Sequence, residues 1–148
     1  MKPLDAQQEL LIEHACSKLV LRAAALADAG AAAELAALFT PDGVLVRPAA
    51  DALTGRQAIE ASYAQRPSDR LTRHVVTNII VNVNTAERAR GVSTVLLWSA
   101  NAGDASTRFG RPATTPQVIG EFQDAFLLTD EGWRISQRVA LFLMHTPH

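Results

Sequence analysis

The run Thr72 to Val83, TRHVVTNIIVNV, is the stretch that most constrains the fold of this chain. β-Branched residues fill it and side chains alternate with a period of two, which predicts a β-strand. On a regular strand one face would carry His74, Val76, Asn78 and Ile80, and the other Val75, Thr77, Ile79 and Val81. A histidine and an asparagine on the same face of an apolar strand suit a wall facing a cavity. The opposite face is too apolar to stand in water as a continuous patch, so Val75, Ile79 and Val81 are expected under a second subunit or the C-terminal tail.

Helices precede this strand. Asp5 with Gln8 forms the pattern of a capping box, and Ile12, Cys16, Leu19, Ala23 and Leu26 recur at helical spacing up to about Asp28, where Gly30 closes the helix. Ala31 to Leu38 predicts a second, short helix, Thr40 to Gly43 a turn, and Val44 to Arg47 a strand. Thr54 with Gln57 suggests another capping box, opening a helix from Gly55 to about Gln65 with Ala58, Ile59 and Tyr63 inward. Only strands follow. Arg88 to Ser99 should pair with the opening strand as a hairpin, with Val92, Thr94, Leu96 and Trp98 on one face. Ala100 to Pro116 is Gly-, Ser-, Thr- and Pro-rich and is expected to be a loop; Gln117 to Leu128 and Trp133 to Phe142 are strands joined by the turn at Thr129 to Gly132. Helices followed by a run of antiparallel strands predict an α+β domain, a curved antiparallel sheet wrapped around the N-terminal helices as a cone with an internal pocket.

The totals narrow the function classes. A chain of 148 residues is the size of one domain, assigned here to 1–148, with enough length for one core. Fourteen basic and fifteen acidic residues leave a net charge of -1, which favours neither nucleic acid nor an anionic membrane. One cysteine, Cys16, excludes an intrachain disulfide and fits a buried, inert thiol in a reducing compartment. There is no basic-then-apolar leader and no apolar run long enough for a membrane span, so the expectation is a cytoplasmic protein. His14, His74, His145 and His148 lack metal-ligand spacing, and phosphate loops and nucleophile elbows are absent; neither metal nor cofactor is predicted.

The segments AALFTPDGVLV at 36–46, TGRQAIEASYA at 54–64, RHVVTNI at 73–79, GEFQDAF at 120–126 and EGWRISQR at 131–138 are each weak, but in this order and spacing the chain resembles the SnoaL-like group of the nuclear-transport-factor-2-like superfamily. The resemblance implies a cone-shaped α+β barrel, a cystatin-like roll, forming a homodimer through the outer sheet face. It does not choose among dehydratases, isomerases, cyclases, hydrolases, accessory subunits and binding proteins. His74 matches the strand histidine of scytalone dehydratase-like members. The part of the first helix expected to carry their pocket aspartate reads Ala23-Ala24-Ala25, and Tyr63 is the only tyrosine, so that specific activity is not expected.

The residues themselves offer His74 as a proton-transfer group active near neutral pH, or simply as a well-housed histidine. Asp124 shares a strand face with Gly120, Phe122 and Phe126 and is the second candidate, resembling the pocket aspartate of SnoaL-like cyclases. Aromatic walls would favour its neutral form and acid/base work, whereas a cross-strand Arg138, in phase with Arg134 and Ser136, would hold it in a structural ion pair. Asn78 and Tyr63 are expected as hydrogen-bond donors to a ligand oxygen, and Trp98, Phe39, Phe122 and Phe126 as apolar walls or core. The arginines at 66, 70, 73, 88 and 90 read as solvated strand and loop ends. Two functions follow: a cofactor-independent acid/base lyase, isomerase or cyclase acting on a small apolar carbonyl or hydroxyl compound, or a non-catalytic ligand-binding protein or accessory subunit.

Overall fold

The computed structural model describes residues 2–148, with the backbone alone at 115. Helix α1, Ala6–Ala29, begins with the anticipated capping box: Gln8 N–H donates to Asp5 Oδ1 at 2.8 Å and Asp5 N–H to Gln8 Oε1 at 3.0 Å. It ends at Gly30, whose left-handed φ of 70° lets its N–H return to the Ala27 carbonyl at 3.2 Å. Short α2, Ala32–Ala36, and α3, Arg56–Ala64, complete the helical layer. The second capping box does not form. Gly55 is the cap residue of α3, without a side-chain hydrogen bond, and Thr54 belongs instead to a two-residue strand, β2, Leu53–Thr54.

Strands β1 (Phe39–Val46), β3 (Arg70–Thr85), β4 (Arg88–Asn101), β5 (Ala113–Thr129) and β6 (Gly132–His145) complete a six-stranded sheet ordered β2-β1-β6-β5-β4-β3. All pairings are antiparallel except β1 with β6. The loop expected over 100–116 is shorter, because β4 and β5 extend into it and pair Ser99 with Thr114 and Ala100 with Ala113. The sheet curves around α1 without closing. The chain thus has the cystatin-like α+β form expected of it. No helix among the described residues is long and apolar enough to cross a membrane.

The core lies between α1 and the concave sheet face. Ile12, Cys16, Leu19, Val20, Ala23 and Ala27 bury the α1 stripe against Phe39, Leu45, Ile59, Ala89, Phe126 and Ile135. Burial removes roughly 25 cal/mol of unfavourable hydration per Å² of apolar surface, which favours docking of this α1 face on the sheet. Cys16 is fully buried, and its thiol is pushed up to about 12 by burial first and by the negative charge of Asp124 second.

Two of the sheet's register shifts change which of the expected residues face the core. Asn78 has φ 52°, and the β3–β4 register shifts between Thr77 and Ile80. Asn tolerates this left-handed region better than the β-branched residues around it. Past the bulge the faces exchange: Ile79, Val81 and Val83 pack against the core, while Asn78 and Ile80 are exposed. The expected sharing of one face by His74 and Asn78 is therefore corrected, and so is the outward placement of Ile79 and Val81. A second register shift in β5–β6, between Ala125 and Phe126, puts Ile135 and Arg138 both inward, so Arg138 is not in phase with Arg134.

Candidate functional site

A cavity of about 150 Å³ remains between α1 and the sheet. Its helical wall is built from Ala23, Ala24 and Ala27, whose small side chains leave space that leucines would fill. Leu97, Val118, Gly120, Phe122 and Ala140 supply the sheet wall, and Phe39, Tyr63, His74 and Arg138 also reach the lining. Gly120 permits a close approach there, since a Cβ would lie 2.5 Å from the Leu141 carbonyl oxygen. Of the residues expected in the pocket, Asn78 points outward, Trp98 is half exposed on the convex face with Val92, and Phe126 is buried in the core. Trp98 stands outside because β4 turns Ser93 and Val95 inward, leaving the alternate residues on the other face.

His74 enters this cavity from β3 with a partner that the strand pattern did not suggest. Its Nδ1 lies 2.6 Å from Asp28 Oδ1, and its backbone N–H donates to Asp28 Oδ2 at 2.9 Å. Asp28 also accepts from the Thr72 hydroxyl at 2.9 Å. An ionised carboxylate only accepts, so Nδ1 carries the proton and Nε2 is left as the basic nitrogen. The pair is largely shielded, with 21% of the His74 side chain and 12% of the Asp28 side chain exposed. Asp28 itself lines an open groove of about 420 Å³ outside the cavity, between α1 and β3, beside Leu21, Arg73 and Val76. His74 belongs to both spaces.

Asp28 lies one turn after Ala23-Ala24-Ala25, near the end of α1. A sequence signal did exist: Asp28 is an acidic residue in the last turn of a helix, where the helix dipole opposes negative charge. Arg66 is likewise not a solvated loop end. It donates to the Ala27 carbonyl, to Thr72 Oγ1 at 2.6 Å and to the Arg70 carbonyl at 3.1 Å.

Asp124 takes the other arrangement that the sequence allowed. Arg138 Nε and Nη2 donate to its two carboxylate oxygens at 2.7 and 2.9 Å, and both side chains are almost wholly buried. The guanidinium also lies 4.1 Å from the Phe122 ring centroid. Burial weakens the Arg138 charge, but the attraction and hydrogen bonds of Asp124 outweigh it, so its proton is held more firmly than usual. Arg138 reaches the cavity lining; Asp124 is not among the residues that form it. Among the described residues no group of three His, Cys, Asp or Glu stands close enough to hold a metal ion.

Comparison with known proteins agrees with this architecture. A scytalone dehydratase-like protein of Novosphingobium aromaticivorans DSM 12444 superposes with a TM-score of 0.82 at 21% identity, covering 97% of this chain and 92% of the other. A nuclear-transport-factor-2-like protein with a cystatin-like fold, also of Novosphingobium aromaticivorans, gives 0.76 at 22% identity over 93% and 86%. The hexachlorocyclohexane dehydrochlorinase LinA is similar too, with 0.80 at 19% identity over 96% and 92%. No curated protein sequence matches the chain. These identities speak for the fold alone, but the SnoaL-like domain pattern matches residues 8–139, and the chain therefore belongs to the SnoaL-like domain family.

Proposed function

We propose that the protein is a cofactor-independent acid/base enzyme of lyase, isomerase or cyclase type, acting on a small, largely apolar carbonyl or hydroxyl compound held in the cone. The observation that carries this reading is the 2.6 Å His74–Asp28 contact at the edge of an apolar cavity. His74 Nε2 takes a proton from a carbon next to the substrate's carbonyl or hydroxyl-bearing carbon, and the Nδ1–H to Asp28 bond strengthens as the ring becomes imidazolium. The electrons of the broken C–H bond form a new C=C bond, while the carbonyl π pair moves to oxygen in an isomerisation or the C–O pair leaves with the hydroxyl in a dehydration. The imidazolium then returns its proton, to a departing hydroxyl in a dehydration or to another carbon in an isomerisation. Asp28 orients the base, whereas Asp124, already occupied by Arg138, supports the wall. Tyr63 and Arg138 are placed to donate to a substrate oxygen. Alanines on α1 and Phe122 opposite them accept the apolar body.

A partner is proposed as well: a second copy of the chain against the convex sheet face. Val75, Ile80, Val92 and Trp98 are exposed there at 51, 63, 45 and 50%, more contiguous apolar surface than a strand hairpin leaves in water. Light scattering that returned the mass of a single chain would overturn this.

The catalytic reading is tested by incubating small hydroxy and keto compounds with the protein in deuterated water and following deuterium entry beside the oxygen-bearing carbon. Wild-type protein should catalyse exchange or turnover, and His74→Ala should lose roughly 10²–10⁴ of the rate. Binding that persists in both proteins with no exchange in either would replace the enzyme by a ligand-binding protein.

A further inference from the structure

Asp28 Oδ1 serves two donors at once, the His74 ring and the Thr72 hydroxyl. Thr72 is 3% exposed and lies two residues before His74 on the same strand face. Its hydroxyl has one proton to give, and where that proton goes is decided by Arg66. Because Arg66 Nη2 donates to Thr72 Oγ1 at 2.6 Å, the hydroxyl must act as acceptor on that side. Its own proton is then directed to Asp28 Oδ1 at 2.9 Å. Arg66 is fixed in turn by the carbonyls of Ala27, in the last turn of α1, and Arg70, at the start of β3. It therefore ties together the two elements that carry Asp28 and His74.

We propose that Thr72 and Arg66 are positioning residues of the His74–Asp28 pair, holding the Asp28 carboxylate in line with His74 Nδ1 so that the ring keeps its proton there and presents an unprotonated Nε2 to the cavity. This deepens the reading of His74 as the base and rests on it. Neither residue touches the cavity, so neither meets the substrate. Without the Thr72 hydroxyl, Oδ1 loses one of its two bonds, and only the two bonds from His74 itself, the ring to Oδ1 and the backbone N–H to Oδ2, still orient the carboxylate. The proton is then held on Nδ1 less firmly, and the Nε2–H tautomer gains population.

The test is long-range ¹H–¹⁵N spectroscopy of His74 in ¹⁵N-labelled protein, recorded over a rising pH series until the ring carries a single proton. Wild-type protein should show protonated Nδ1 and unprotonated Nε2. Thr72→Val keeps the shape and loses the hydroxyl, and should give averaged tautomers, with roughly tenfold lower kcat and little change in KM on any substrate found. Thr72→Ser should restore the wild-type spectrum, which a merely structural role would not predict. Arg66→Met should move the spectrum in the same direction as Thr72→Val; if it fails to fold, the Thr72 pair decides alone. A Thr72→Val spectrum identical to wild type would overturn the positioning role and leave the base assignment standing. A wild-type His74 without a protonated Nδ1 would overturn both.

Discussion

The cone contains two aspartates, each bound to a basic side chain, that differ in what they leave free. In the Asp124–Arg138 pair, two hydrogen bonds of 2.7 and 2.9 Å and stacking on Phe122 occupy the carboxylate and most of the guanidinium. In the Asp28–His74 pair, one ring nitrogen is bound and the other remains available beside a cavity. The first is a strut across β5 and β6; in the second the carboxylate orients a ring whose other nitrogen is what the proposed acid/base role uses. The difference teaches that a buried aspartate beside aromatic rings is not thereby a catalyst. What matters is whether its partner retains a site that can exchange a proton.

The sharpest way to break this contrast is to neutralise each aspartate. Asp28→Asn should cost roughly 10²–10⁴ in turnover, because the neutral amide no longer stabilises an imidazolium, and about 1–3 kcal/mol in a denaturant melt, because the amide cannot accept on both sides as the carboxylate does. Asp124→Ala should do the opposite where it is felt first. Leaving Arg138 buried without its partner is expected to cost about 3–5 kcal/mol of stability by urea titration. The double variant Asp124→Leu with Arg138→Met should recover most of that loss if the pair is a strut. If it recovers stability but abolishes turnover, Arg138 contributes to substrate binding.

A smaller effect concerns Cys16, which feels the Asp124 charge. Its thiol is raised to about 12 in the folded protein from an ordinary value of 9.0, chiefly by burial. Between these values the unfolded chain has lost the thiol proton and the folded chain has not, so the unfolded state holds fewer protons and stability falls as pH rises. Stability measured from neutral pH to strongly alkaline conditions should show this loss, and Cys16→Ala should remove its contribution. The same burial predicts slow reaction of the native thiol with neutral-pH thiol reagents, read against the unfolded chain. Smallest is the bulge at Asn78. A valine there, forced into the left-handed region, should cost about 1–2 kcal/mol by thermal melt, with the His74 spectrum unchanged.

Much of the fold was legible along the chain because its signals are local. Asp5 and Gln8 cap α1, Gly30 ends it, and the turn at Thr129 to Gly132 joins β5 to β6. Each depends on neighbours a few residues away, which the sequence displays directly. His74, Tyr63, Phe39, Phe122 and Arg138 were also identifiable, and all line the cavity. Asn78 was misplaced because a bulge costs one residue of phase and leaves no composition signal beyond an asparagine among β-branched residues. Trp98 was placed in the pocket because alternation gives two faces without saying which one is concave.

By itself, then, the sequence determined the α+β order of elements, the principal strand, and a histidine on it suited to proton transfer. Only the tertiary structure decided the partner of that histidine. Asp28 is 46 residues away in the chain, and no periodicity relates the end of a helix to the face of a strand. Curvature of the sheet around α1 brings them together, whereas Asp124 and Arg138 meet through the local register of the β5–β6 hairpin. Pairing of charges across elements depends on distances that are set only when the core forms.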